Sequence, residues 1–148
     1  MRIIADSREK KNEHVLSYFG RHGIPYVVQK LDVADYMIDG QPGVVVDRKR
    51  NLSEVCTNLM TRNDSARFWR EVRRAHDEGI KLYILVEHGG QIKTIRDVAN
   101  WTSPYSRVTG RRLLAEMCRV EAAYGCIWVF TNKRSTGKRI VELLNGEE

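Results

Sequence analysis

The sequence predicts an α/β domain, a mixed central sheet flanked by helices, and three observations carry that expectation. Short apolar runs at residues 2–5, 44–46, 82–86 and 126–131 alternate with segments whose apolar residues repeat at helical spacing. Leu82 to Val86 is apolar at every position, as a strand covered by helices on both faces requires. No repeat, linker or low-complexity segment divides the 148 residues, a length that can bury a substantial core, so residues 1–148 are expected to form a single domain.

Each element has its own local reason. Arg2 to Ala5 reads as a buried strand. Val15, Leu16, Tyr18 and Phe19 share a helical face, and Gly20 or Gly23 stops that helix. Ile24 to Ile38 reads as mostly extended, with Pro25 near its start. Asp39-Gly40-Gln41-Pro42-Gly43 is dense in turn residues, and Val44-Val45-Val46 resumes the strand. Residues 52–61 and 64–78 have helical periodicity, with Phe68, Val72 and Ala75 as the buried stripe of the second. Beyond the strand at Leu82, residues 107–124 read as a helix, Cys126 to Thr131 as a buried strand and 136–145 as a closing helix.

Composition narrows the function. At 42% hydrophobic and 30% charged residues the chain reads as a soluble globular protein, and its net charge of +6 favours an anionic partner, nucleic acid first. No apolar run approaches the ~18 residues of a membrane span, and no apolar signal segment opens the chain. Cys56, Cys118 and Cys126 are odd in number and form no C-x-x-C, and the four histidines form no metal-binding pair. A disulfide scaffold and a zinc site are thereby disfavoured, and the reduced cytoplasm, nucleoid included, is the expected compartment.

The most informative residues flank the expected turn. A turn centred on Gln41 sets Asp35 directly opposite Asp47, with Cβ atoms roughly 4.5–5.5 Å apart. Two like charges so close repel, and a divalent cation between them turns repulsion into coordination; hard oxygen donors select Mg2+ or Mn2+. The two-residue period of a strand puts Lys49 on the face of Asp47 and turns Arg48 away. Metal, water and cation are what phosphodiester hydrolysis requires. Spacing alone leaves a second reading open, in which both aspartates are solvated residues near a turn.

Asp6-Ser7-Arg8-Glu9, Val33-Ala34-Asp35-Tyr36 and Val46-Asp47-Arg48-Lys49 occur in that order, followed by Ala66-Arg67-Phe68 and Leu85-Val86-Glu87. Together they resemble the nuclease domain of XPF-type structure-specific endonucleases, whose motifs read D-x-R-E, G-D-Y, V-E-R-K, G-R-F and L-I-E. The resemblance covers roughly residues 2–90 and implies a restriction-endonuclease-like fold that cuts DNA near branches or flaps with Mg2+ or Mn2+. By resemblance Asp35 and Asp47 are metal ligands and Lys49 the catalytic lysine, with Asp6, Arg8, Glu9 and Arg48 completing the active-site cluster. The chain departs from the pattern at Ala34 (glycine in the family), Asp47 (glutamate), Glu54 (the acid after E-R-K, displaced by one residue) and Glu71 (often glutamine). No tandem helix-hairpin-helix module is recognised. The competing reading is a DNA-binding or dimerisation module of the same fold that does not cut.

Arg67, Arg70 and Arg74 share one helical stripe and are expected to meet DNA phosphates, or else to form a solvated basic face. Trp69, Trp101 and Tyr105 offer surfaces for base stacking or for core packing. For assembly, Leu113, Leu114, Met117, Val120, Leu143 and Leu144 are expected either to supply a homodimer face or to pack inside one subunit, while Ile127, Trp128, Val129 and Phe130 fill the core.

Overall fold

In the computed structural model, which describes residues 1–61 and 66–148, the order is β1 (Ile3–Ala5), α1 (Glu13–Arg21), β2 (Tyr26–Val28), β3 (Tyr36–Ile38), β4 (Gln41–Lys49), α2 (Leu52–Met60) and α3 (Arg67–Glu78). Then come β5 (Lys81–Val86), a 3-10 helix (Ile95–Asn100), α4 (Gly110–Tyr124), β6 (Ile127–Phe130) and α5 (Thr136–Leu144). The strands form one six-stranded mixed sheet in the order β2-β1-β3-β4-β5-β6. β1 pairs parallel to β2 and antiparallel to β3, β3 and β4 form an antiparallel hairpin, and β4, β5 and β6 run parallel.

Helices cover both faces, as expected. Alternation along β4 and β5 sends Val45, Ile84 and Val86 to the side packed by α2, α3 and α4, through Leu52, Leu59, Phe68, Val72, Leu113 and Met117. Val46, Tyr83 and Leu85 point the other way, against Val15 and Phe19 of α1 and Ile140 and Leu143 of α5. Gly110, at the start of α4, lets that helix rest against the 3-10 helix. A Cβ there would overlap the carbonyl oxygens of Val98, Ala99 and Trp101, which are backbone and cannot turn aside. Gly110→Ala is accordingly expected to cost about 1–3 kcal/mol, as overpacking does, read as a lower urea midpoint with unchanged slope.

Several expectations need correction. Ile24 to Ile38 is two short strands on opposite sides of β1, separated by a loop that ends at Ala34 with φ of 64°. That left-handed conformation favours glycine, the residue the family pattern carries there. The five-residue turn is a tighter one at Asp39-Gly40, with Gln41, Pro42 and Gly43 in the strand. Met37 pairs with Val45 while Ile38 pairs with Gln41, so a bulge in β4 absorbs the extra residues and restores the expected register at Tyr36–Val46. β6 is an edge strand of the sheet, and Trp128 in it is buried while Ile127, Val129 and Phe130 are only partly so. The 3-10 helix was not expected. Residues 64 and 65 of the expected third helix lie outside the described residues. Leu113, Met117, Val120, Leu143 and Leu144 are buried within the one chain, with Leu114 packed partly against the core, so they are not free to form a dimer face. Among the described residues no helix is long and apolar enough to cross a membrane.

Candidate active site

Asp35 immediately precedes β3, and Asp47 and Lys49 end β4, so the hairpin carries all three to one end of the sheet. The backbone locks them. Asp35 N–H donates to the Val46 carbonyl (3.0 Å), and Asp6 N–H donates to the Asp35 carbonyl (2.7 Å). Where the β3 ladder stops, the Arg48 N–H donates instead to Asp35 Oδ2 (2.9 Å), which fixes that carboxylate. Alternation then puts Asp47 and Lys49 beside Asp35 and sends the Arg48 side chain through to the opposite face.

Asp35, Asp47 and Lys49 are all buried, and the two carboxyls are hydrogen-bonded to each other. Lys49 Nζ lies 3.1 Å from Asp47 Oδ2 and 5.0 Å from the centroid of the Phe68 ring, whose face also favours a cation. Burial pushes the Asp35 carboxyl well above the usual range, and the charge and hydrogen bond of Asp47 push it the same way. Burial acts upward on Asp47 too, yet Lys49, the bond from Asp35 and Arg67 bring it below the usual range. Asp35 is therefore the harder of the two to ionise. Burial pulls the Lys49 ammonium down, but Asp47, Glu54 and Asp35 outweigh it and keep it charged.

Arg67, at the start of α3, closes the site from the side. Its Nη2 reaches Asp6 Oδ2 (3.1 Å), the Ala34 carbonyl (3.2 Å) and Asp35 Oδ1 (3.4 Å), and its Nε donates to Glu71 Oε1 (2.8 Å). Glu71 also accepts from the Ala34 N–H (3.2 Å), and burial followed by the charge of Asp47 pushes its carboxyl up to about 7. Asp6 lies beneath, accepting from Leu31 N–H (2.8 Å) and Arg8 Nε (3.1 Å). The cleft above these groups has a volume of roughly 270 Å3. Arg8, Lys10 and Arg50 are exposed along its rim, and Glu54 and Asn58 of α2 form its wall. Asn51 caps α2 by accepting from Glu54 N–H (2.9 Å), and Glu54 turns back to the Arg50 N–H (2.8 Å).

The expected residues thus divide. Asp35, Asp47 and Lys49 converge, and Arg8 and Glu9 line the same cleft. Asp6 is a buried positioning residue for Arg8 and Arg67. The Arg48 guanidinium binds Glu9 (Nε–Oε2, 2.7 Å), Glu87 (Nη1–Oε1, 3.2 Å) and the Lys10 carbonyl (2.7 Å), and its side chain is 1% exposed. The guanidinium is thus taken up by carboxylates and turned from Asp47 by the strand period, while Arg48 still contributes to the lining of the cleft. The arginine stripe also divides, since neighbouring carboxylates occupy two of its members. Arg67 is bound inside the site, and Arg74 pairs with Glu78 (3.1 Å) beside a different hollow, which leaves Arg70 alone of the three as a plain surface side chain.

Two carboxylates outside the expected set belong to this region. Glu71 has a visible signal, an acid four residues after Arg67 on the buried face of an amphipathic helix. Glu87 follows the apolar run of β5, as Asp47 follows Val44-Val45-Val46 within β4; it accepts from Arg48, lies 2.7 Å from His14 Nε2 and accepts from the Thr136 hydroxyl, tying α1 and α5 to β5.

Residues 5–144 match the family described as the ERCC4 domain. The fold superposes on XPF from Aeropyrum pernix with a TM-score of 0.72 at 21% identity, over 98% of this chain and 64% of that one. It superposes on XPF from Aeropyrum pernix in complex with DNA with a TM-score of 0.71 at 23% identity, over 97% and 63% of the two chains. This chain therefore spans less than two thirds of the length of either structure. No curated protein sequence matches it.

Proposed function

Because the chain belongs to the ERCC4 domain family, we propose that it is a divalent-metal-dependent endonuclease that hydrolyses phosphodiester bonds in DNA, at branches or flaps, with residues 1–148 as the nuclease domain. The observation that carries this reading is the buried Asp35–Asp47 pair with the Lys49 ammonium 3.1 Å from Asp47. Two neighbouring carboxyls in a buried site fit a hard cation, which would relieve their mutual repulsion. Mg2+ is commonly held by one or two carboxylates, with water and phosphate completing its shell. Among the described residues no group of three His, Cys, Asp or Glu side chains could hold a metal ion, so Asp35 and Asp47 alone would supply the protein ligands.

When bound, Mg2+ or Mn2+ would polarise the scissile phosphate and acidify a water. Asp35 and Asp47 would hold it. Lys49, kept in place by Asp47 and the Phe68 ring, would orient the attacking water and offset charge on the phosphate. Arg67 would hold Asp35 in position, with Asp6 and Glu71 holding Arg67 in turn. The exposed cations Arg8, Lys10 and Arg50 would contact phosphates on either side of the cut. DNA as the partner accords with the similar fold of XPF from Aeropyrum pernix in its complex with DNA.

Labelled flap, fork, four-way and linear DNAs test this directly. Cleavage of the branched members with Mg2+ or Mn2+, its loss with EDTA and its return with excess Mg2+ are expected. Binding without cleavage under either metal would establish the non-catalytic module instead.

A further inference from the structure

The three aromatic residues considered for stacking have different fates. Trp69 is 2% exposed and Trp101 9%, both packed in the core, whereas Tyr105 is 86% exposed. Tyr105 sits at the tip of the loop between the 3-10 helix and α4, and that loop is built rather than slack. Trp101 anchors one end, and Thr102 and Thr109 form a backbone bridge across its base. Ser103 Oγ accepts from the N–H groups of Tyr105 (3.2 Å) and Ser106 (3.0 Å), and Ser106 Oγ accepts from Val108 N–H (3.3 Å). The apolar alternative is close, since Cys56, Met60 and Val108 line a hollow at the foot of the loop, yet the ring stands in water.

Arg107 follows two residues later in the same loop, and Arg111 and Arg112 open the helix that the loop leads into; all three are exposed. Unlike Arg48, Arg67 and Arg74, none of the three is ion-paired with a carboxylate among the described residues. Arg111 and Arg112 occupy the first turn of α4, where the helix dipole is positive and cations are disfavoured. A water-exposed ring on a hydrogen-bonded loop that leads into uncompensated cations is the kind of surface an unpaired nucleic acid strand recognises, with bases on the ring and phosphates on the guanidiniums. The surface is also close to the site. Glu54 and Asn58 of α2 face the cleft, while Cys56, Thr57 and Met60 face the Tyr105 hollow, so the two are separated by one helix, about 10 Å across.

We propose that the Tyr105 loop is a second DNA contact, where an unpaired strand leaving the cleft stacks a base on Tyr105 and sets its phosphates against Arg107, Arg111 and Arg112. This rests on DNA being the substrate, but not on cleavage. The test is fluorescence anisotropy in EDTA with a forked DNA carrying an unpaired arm and a matched linear duplex. Tyr105→Ala is expected to weaken binding to the fork about tenfold and to the duplex less than about twofold, with an unchanged salt slope and thermal midpoint. Tyr105→Phe, which keeps the ring, should bind the fork within about twofold of the parent. Arg111→Ala with Arg112→Ala should flatten the salt slope on the fork by roughly 0.7 for each lost contact. Parental binding of the fork by Tyr105→Ala, or an equal loss on fork and duplex, would overturn the proposal while leaving the proposed function standing. A parent chain that binds neither DNA would overturn both. Failure of cleavage alone appears only in the metal-dependent assay and leaves this contact untouched.

Discussion

Asp47→Asn is expected to lower the rate of Mg2+-dependent cleavage of forked DNA by about 10³-fold or more while the protein stays folded. A neutral amide keeps the shape of the side chain but not the charge that would hold the cation, and loss of one such electrostatic stabiliser costs about 10²–10³ in rate even without loss of metal. Stability should change by no more than about 1–2 kcal/mol, because two opposing effects meet. Lys49 loses the partner at 3.1 Å, but Asp35, no longer opposed by a second buried anion, can ionise and take over as its counter-charge. Initial rates on the fork, paired with a thermal melt of the same preparation, decide the matter. Cleavage at the parental rate would remove Asp47 from the site.

Arg48→Met should show the reverse pattern, a large loss of stability. Its guanidinium is the counter-charge of the part-buried Glu9 and the buried Glu87, and also satisfies the carbonyls of Lys10 and Lys11. Methionine fills much of the volume but takes the guanidinium from both anions, leaving Glu9 only Tyr36 and Glu87 only His14 and Thr136. Breaking a buried pair by removing one partner costs roughly 3–5 kcal/mol, a large part of the total stability of a small domain. The urea midpoint is expected to fall accordingly. Adding Glu9→Gln and Glu87→Gln should restore part of the loss, since Tyr36, His14 and Thr136 still supply hydrogen bonds to the amides. A variant of parental stability that fails only to cut would return Arg48 to the catalytic group.

What the amino-acid sequence determined by itself is what depends on short range. The two-residue period of a strand puts Asp47 and Lys49 on one face and Arg48 on the other, whatever surrounds them. The same local logic yields the alternation of strands and helices, the apolar run of β5 and the pairing of Tyr36 with Val46. Tertiary structure decided the rest. That Asp6, Arg67 and Glu71, far apart in the chain, meet around Asp35 follows from how α3 docks on the sheet. That Arg48 is tied to Glu9 and Glu87 follows from the N-terminal segment crossing the opposite face. Leu113 and Met117 read equally well as a dimer face or as core, and the burial of α4 against β6 and the 3-10 helix chose the core. Tyr105 and Trp101 are alike as aromatic residues, yet one was left in water and the other buried. The physical reason is common to all of these cases. Periodicity states which side chains share a face, but only packing between distant segments states what that face meets.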